Sequence, residues 1–359
     1  MSTNSTNGMP RSSFTTNQTH LDLRGENMIT TGTNGMPRRS FITTMALGGV
    51  GASLAAAGSA RAAGITSGDA AILRFLAAAE LLEADLWQQY AELANNNPAY
   101  NAALLNIDPD MVAYIQQNTN DEFSHQAFLN DFLISQNLEP VDLDPFRNLA
   151  SSTATGAEQI GRLTNLMNLN VDTSWYLRYR SPGNPDFGNS FGQVATIKNR
   201  PAIPLRDNYT ANQIQAIANT AAFHFGTIEQ GGTSLYPALS LKVTSLEVLS
   251  IVASIGPSEA WHLAIWDDTA GEIPAVNSGD GLVFPVVPLP NNIMPTPCTF
   301  LSANLPRCAV VRPTNPALAG PTPFFKALTQ LGLFIGQPSD FFTTLTKLAS
   351  AAQAATRQV

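Results

Sequence analysis

Four stretches of the chain repeat apolar residues at helical spacing, and each opens on a helix-starting signal. In the first, Leu73, Leu76, Ala77, Leu81, Ala84 and Leu86 make one face of a helix. Ser67 reads as its N-cap, and Asn95-Asn96-Asn97-Pro98 stops it after about Ala94. The second starts at Asp108-Pro109, an acidic cap with proline at the first helical position. It reaches about Asn137, with Tyr114, Ile115, Asn118, Glu122, His125, Leu129 and Phe132 in one stripe. Thr210-Ala211-Asn212-Gln213 is a capping box for the third, which carries Ile214, Ile217, Ala218, Ala221, Ala222 and Phe225 and ends near Tyr236-Pro237. Thr244-Ser245-Leu246-Glu247 is another box, and Leu249, Ile251 and Val252 lead on toward Glu259 and His262. Gly256-Pro257 interrupts that last pattern, so the fourth helix is either bent there or divided in two.

The connections differ in kind. Residues 141–208 contain no strong long helix: one short helix is expected over 157–169, followed by the aromatic and basic run Ser174 to Arg180 and a Pro/Gly/Asn-rich stretch to Pro204. A long link between the second and third helices is one way to wire a four-helix bundle. After Asp268 the composition shifts, with Pro and Asn enriched over 274–323, and two more helices are expected over 323–336 and 338–355. The fold class is therefore all-α: a four-helix bundle over 63–270 with a long crossover between helices 2 and 3, then an irregular Pro-rich extension over 271–359 carrying two short helices.

The first 62 residues are of another type. Pro37-Arg38-Arg39-Ser40-Phe41-Ile42 resembles a twin-arginine export motif. A mild apolar run from Met45 to Gly58 follows, and Ala60-Arg61-Ala62 supplies the small residues a signal peptidase reads. This run is too short and too weakly apolar for a stable membrane span. The expectation is a leader over 1–62, cleavage after Ala62, and a periplasmic or extracellular product. A near-copy of the motif, Asn7 to Phe14, lies upstream in a polar segment expected to be disordered.

Charge narrows the partners. The chain is 13% charged with formal net charge −8, and the leader holds five Arg against two acidic residues, so the remainder is more acidic still. That excludes nucleic acid as the natural partner, the Arg/Tyr run in the crossover notwithstanding. Cys298 and Cys308 are the only cysteines; they can close one small loop but do not form a framework.

The chemistry is carried by glutamates at apolar positions. Glu122 and His125 sit mid-stripe on the second helix, three residues apart, and Glu259 and His262 repeat the spacing on the fourth. Residues at i and i+3 share a helix face, so each pair aims a carboxylate and an imidazole at one point. Three His follow the leader, and two of them have Glu three residues before; with ten Glu after residue 62, coincidence accounts for this on the order of 0.003. The first helix offers Glu80 and Glu83 on its apolar face and the third offers Glu229, flanked by Gly226, Gly231, Gly232 and Thr233. A Glu from each of two helices plus two Glu-x-x-His motifs is the ligand set of a dinuclear site in a bundle core. Glu83 and Tyr90 match the spacing of Glu229 and Tyr236, which favours Glu83; His224 reads as a core or supporting histidine.

With these segments in place, the chain resembles the ferritin-like domain proteins found among exported bacterial proteins and plant desiccation-related proteins. The resemblance rests on Ala79 to Trp87, Asp121 to Leu129, Thr227 to Gly232 and Glu259 to His262, and spans about Ser67 to Trp266. It implies a ferritin-like bundle with two Fe or Mn ions held by Glu80 or Glu83, Glu122, His125, Glu229, Glu259 and His262. It places an aromatic seven residues after the first Glu, which favours Glu80 with Trp87, where Tyr is usual. Redox chemistry on peroxide, dioxygen or ferrous iron follows from the wider superfamily. The alternative is a non-catalytic stress-related structural or metal-storage protein of the cell envelope. The crossover and the tail are available for contacts between copies in a homo-oligomer.

Overall fold

The computed structural model describes residues 64–178, 192–288, 297–299, 301–311 and 313–359. The expected leader and its upstream copy lie outside them. The four expected long helices are present: α1 (Ser67–Asn96), α3 (Met111–Ser135), α5 (Ala211–Ser240) and α6 (Leu246–Ala270), with a short α2 (Pro98–Leu105) between the first two. α1 packs along α3, and α5 along α6. The two pairs face each other across one continuous core.

The start signals act with small shifts. Thr66, not Ser67, caps α1 in a full capping box with Asp69. Asp69 is buried and also accepts from the amides of Thr244 and Ser245, so the first turn of α1 holds the start of α6. Asn97 ends α1 and caps α2 through the Tyr100 amide, which makes the Asn-Pro break a corner between two helices. α3 starts at Met111 after Asp110, without a side-chain cap. Thr210 and Gln213 form the expected box on α5. On α6, Ser245 caps alone through the Glu247 amide.

Both prolines that looked like stops are accommodated. α5 runs through Pro237 to Ser240, and α6 runs unbroken through Gly256-Pro257. Tertiary packing overrides the local penalty, because α1 and α5 are buried on almost every side while α3 and α6 each keep a wet face. α6 is long and apolar enough to cross a membrane by length and composition, yet it buries Glu259 and His262 in the bundle.

The short helix expected over 157–169 does not form. Its backbone bonds go elsewhere: Arg162 exchanges both bonds with Leu149, and Asp85 of α1 accepts from the amides of Leu163 and Thr164 at 3.0 and 2.9 Å. The same buried carboxylate takes the Thr164 hydroxyl, the Gln89 amide and, at 2.6 Å, the Arg147 guanidinium. A buried ion pair between Glu92 and Arg162 fastens the crossover a second time. Beyond it β1 (Leu169–Val171) pairs antiparallel with β2 (Ile197–Arg200), and the short α4 (Trp175–Arg178) puts Trp175 and Tyr176 into the core against Phe223. Trp175 and Tyr176 are therefore core residues, while Tyr179 and Arg180 of the same run lie outside the described residues. The edge of the Trp175 ring occupies the space a side chain would fill at Gly226, where a Cβ would lie 2.1 Å from it.

The tail contains β3 (Val276–Asn277) with β4 (Val283–Phe284), β5 (Pro297–Cys298) with β6 (Cys308–Ala309), and helices α7 (Pro316–Ala319), α8 (Pro321–Gln330) and α9 (Ser339–Ala354). Cys298 and Cys308 stand opposite each other in the β5–β6 pair as free thiols. α9 packs along α1, and Lys242 clamps its end through the carbonyls of Gln353 and Ala355.

Asp85 offers a direct test of this wiring. Asp85→Ala leaves a guanidinium and two amides without their buried acceptor, and should cost about 3–5 kcal/mol of stability in denaturant titrations. A loss under about 1 kcal/mol would show that the crossover docks without it.

Candidate metal centre

Four helices deliver their acidic residues to one buried place. Glu80 and Glu83 come from α1, Glu122 from α3, Glu229 from α5 and Glu259 from α6, and all five are buried. Two sets of donor atoms lie within 4.8 Å of one another: Glu80, Glu122, His125 and Glu259 in one, and Glu122, Glu229, Glu259 and His262 in the other. Glu122 and Glu259 belong to both. Glu83 is in neither, although its carboxyl is close enough to feel the charges of Glu80, Glu122 and Glu229. Of Glu80 and Glu83, Glu80 is the one that lies in a donor set.

Both imidazoles turn Nδ1 inward. His125 Nδ1 is 3.4 Å from Glu80, 3.2 Å from Glu122 and 3.6 Å from Glu259. His262 Nδ1 is 3.3 Å from both Glu122 and Glu229. Outward, His262 Nε2 meets Asp121 at 3.0 Å and His125 Nε2 meets Ser258 at 3.2 Å. Asp121 precedes Glu122, and Ser258 precedes Glu259, so each Glu-x-x-His helix steadies the imidazole of the other. A proton on Nε2 donated outward leaves the Nδ1 lone pair for the centre, as metal-bound histidines require.

Further residues fix the carboxylates. Tyr236 donates its hydroxyl to Glu80 Oε1. The Asn118 amide donates to Glu122 at 2.9 Å and Glu229 at 3.1 Å, and is itself held by the indole N–H of Trp266 at 2.9 Å. Trp266 stacks on Trp87 in a buried layer with Phe225. Sequence reasoning placed Asn118 on the right stripe but gave it no role, and it missed Asp121, Ser258 and Trp266. The available signals were the polar residue before each motif Glu and the indole one turn after His262. Gly232, beside Glu229, makes room for another carboxylate, since a Cβ there would lie 2.2 Å from Glu259. His224 bonds the Tyr90 hydroxyl at 2.7 Å and stays outside both sets; burial lowers it to about 3, so it is neutral.

The electrostatics ask for cations. Glu80 Oε2, Glu229 Oε2, both oxygens of Glu259 and His262 Nδ1 are buried without a hydrogen-bond partner. Such groups are costly in a core unless a cation or protons occupy the space between them. Protons do so in part. Burial would raise Glu80, but the His125 imidazole 3.4 Å away outweighs it and holds the carboxyl below its ordinary value. Burial, then the charge of Glu80, lifts Glu122 to about 7. Burial and the charges of Glu122 and Glu80 push Glu259 well above the carboxylate range, and burial with Glu80 and Glu122 does the same to Glu83. Burial would lower both imidazoles, yet the carboxylates raise His125 to about 10 and His262 to about 12. A carboxylate and imidazole donor set with two shared carboxylates fits a pair of divalent metal ions.

Such an assembly, two Glu-x-x-His helices and two Glu helices around a common centre, defines the class of carboxylate-site four-helix bundles. The sequence pattern of the ferritin-like domain matches residues 68–272, and the chain belongs to that family. The match closes just after the end of α6 and leaves the tail outside. No curated protein and no solved structure matches the chain.

The protonation states set the pH dependence of metal uptake. His125, His262, Glu122 and Glu259 hold protons that a metal must displace, so uptake is weakest in acid and strengthens as pH rises. Apparent Mn(II) affinity should increase between about pH 6 and 8 by roughly tenfold per unit for each proton released. Calorimetry in buffers of different ionisation enthalpy reads that proton release; a pH-independent affinity would contradict it.

Proposed function

We propose that this is an exported ferritin-like protein that binds a carboxylate-bridged pair of Fe or Mn ions and uses them for redox chemistry on peroxide, dioxygen or ferrous iron. The observation that carries the reading is the sharing of Glu122 and Glu259 by two donor sets, each completed by one further Glu and one His. Glu122 and Glu259 would be shared by the two ions, with Glu80 and His125 completing the donors of one and Glu229 and His262 those of the other. Glu83 is assigned a place beside the ligands. Metals held there would supply the redox and Lewis-acid chemistry.

The chain supplies the rest. Ser258 and Asp121 orient the imidazoles, Tyr236 holds one face of Glu80, and Asn118 ties Glu122 to Glu229. The Trp87, Trp266 and Phe225 layer keeps water from the Asn118 side. Twin-arginine export is supported by the Arg38-Arg39 motif, the apolar run and the cleavage pattern at Ala62. That route carries folded proteins, which suits metal loading before export.

Elemental analysis of the purified chain tests the centre. After expression with ample Fe or Mn, about two ions per chain are expected. His125→Ala and His262→Ala should each weaken binding by at least about tenfold, and the double variant should bind none. A wild-type chain that stays metal-free sinks the reading. Peroxide consumption and ferrous-iron oxidation by the loaded protein then separate an enzyme from a store or a structural protein.

A further inference from the structure

Both cysteines of the chain stand in one short strand pair. Cys298 lies directly opposite Cys308 where β5 runs antiparallel to β6. With two cysteines among 359 residues, composition alone does not explain this placement. Opposed residues of an antiparallel pair send their side chains to the same face, with Cα atoms about 4.5 or 5.5 Å apart. Both separations fall inside the roughly 4.4–6.8 Å window of a disulfide. Cβ atoms across such a pair are about 4.5–5.5 Å apart, and the bond wants them at roughly 3.5–4.5 Å. An exposed two-residue strand such as β6 makes that approach without disturbing a core.

The pair is weak without a crosslink. Each strand has two residues, and a lone two-stranded pair is marginal in water. Cys298 is buried, but residues 303–309 are exposed, so β6 has no core of its own to sit on. Leu301 adds strain: its φ of 63° lies in the left-handed region, which a bulky side chain adopts at a cost, and its side chain is 85% exposed. A covalent bond from Cys308 to buried Cys298 removes the open loop states that compete with the paired one. The chain beyond β6 leads to the metal centre's surroundings. Val311, Pro313 and Asn315 line one cavity with Tyr236 and Pro257, and the Tyr236 hydroxyl holds Glu80. α7 then packs against α5.

We propose that Cys298 and Cys308 form a disulfide, and that this bond latches β6 and the segment after it in place beside Tyr236. Burial assigns the order of reaction. Cys308 is the exposed thiol, the one an external disulfide meets first. Its sulfur breaks the external S–S bond, forms a mixed disulfide and releases one external thiol. Cys298 then attacks the Cys308 sulfur, and the second external thiol leaves. Two protein thiols are oxidised, one external disulfide is reduced to two thiols, and the two protons go with the leaving groups. The crosslink follows from the strand pair; only its presence in the cell rests on the exported product proposed above, because the cytoplasm keeps thiols reduced.

Incubation of the full chain in glutathione redox buffers, followed by alkylation and mass spectrometry, tests the bond. The wild-type chain should lose both free thiols together, in step with the ratio of oxidised glutathione to the square of reduced glutathione. Cys298→Ser should stop at a glutathione adduct on Cys308. Cys308→Ser should take up glutathione at least about tenfold more slowly, because its remaining thiol is buried. Trypsin cleavage after the exposed Arg307 reads the latch, and should be at least about fivefold slower in the oxidised chain. Amide exchange over residues 313–319 should slow on oxidation in the wild type and not in Cys308→Ser. Glutathione on both sulfurs, or two thiols that stay free in every buffer, overturns the disulfide. A disulfide that changes neither cleavage nor exchange overturns the latch. A chain that crosslinks in the buffers but is recovered from its own cells with both thiols reduced removes the export reading and leaves the crosslink standing.

Discussion

Four carboxylates facing one another in a dry core are the constraint on which this structure turns. Glu80, Glu122, Glu229 and Glu259 are each at most 1% exposed, and their like charges repel across a few ångströms. A bundle can hold them only if something positive lies between, and in the free chain that role falls to His125 and His262. The cost of burial, several kcal/mol per unpaired ion, makes the centre expensive as a purely structural device. Apolar residues of similar volume would stabilise a bundle better. The arrangement is therefore explained by what it can bind.

The scaffold answers the constraint with a two-fold pattern that is broken at one point. α1 corresponds to α5 and α3 to α6, so Glu80 matches Glu229, Glu122 matches Glu259, and Asp121 matches Ser258. Tyr236, seven residues after Glu229, reaches across to Glu80. Its counterpart seven residues after Glu80 is Trp87, whose indole N–H has no hydrogen-bond partner. Glu229 takes its support from Asn118 instead, positioned by Trp266. The departure from Tyr at residue 87 is thus offset by an amide from a different helix.

What the sequence could reveal follows from the range of the forces involved. Helix starts depend on neighbours within four residues, and the capping box at Thr210 and the two Glu-x-x-His motifs were legible for that reason. Residues that share a face by spacing, such as Glu80 and Glu83, could not be separated, because the choice depends on how α1 is rotated against α5. The crossover was misread where a distant group captures the backbone: nothing local in residues 157–169 announces that Asp85 takes the amides of Leu163 and Thr164. The same holds for the prolines. Their local effect argued for a stop at Pro237, while burial on both sides of α5 carried the helix onward.

The broken symmetry leaves the two shared carboxylates unequal. Glu122 is tied down by the Asn118 amide, whereas neither oxygen of Glu259 has a hydrogen-bond partner. Glu259 is held by the His125 imidazole at 3.6 Å and by packing on the bare backbone at Gly232. The helix that carries it has its bonding interrupted at Pro257, two residues earlier. A carboxylate without hydrogen bonds, on a helix with a missing rung, can change its orientation at lower cost than one gripped by an amide. The bundle therefore has a fixed side, built on α3 with Asn118 and Trp266, and an adjustable side, built on α6. The Gly256-Pro257 pair, expected to bend or divide the fourth helix, supplies that adjustability.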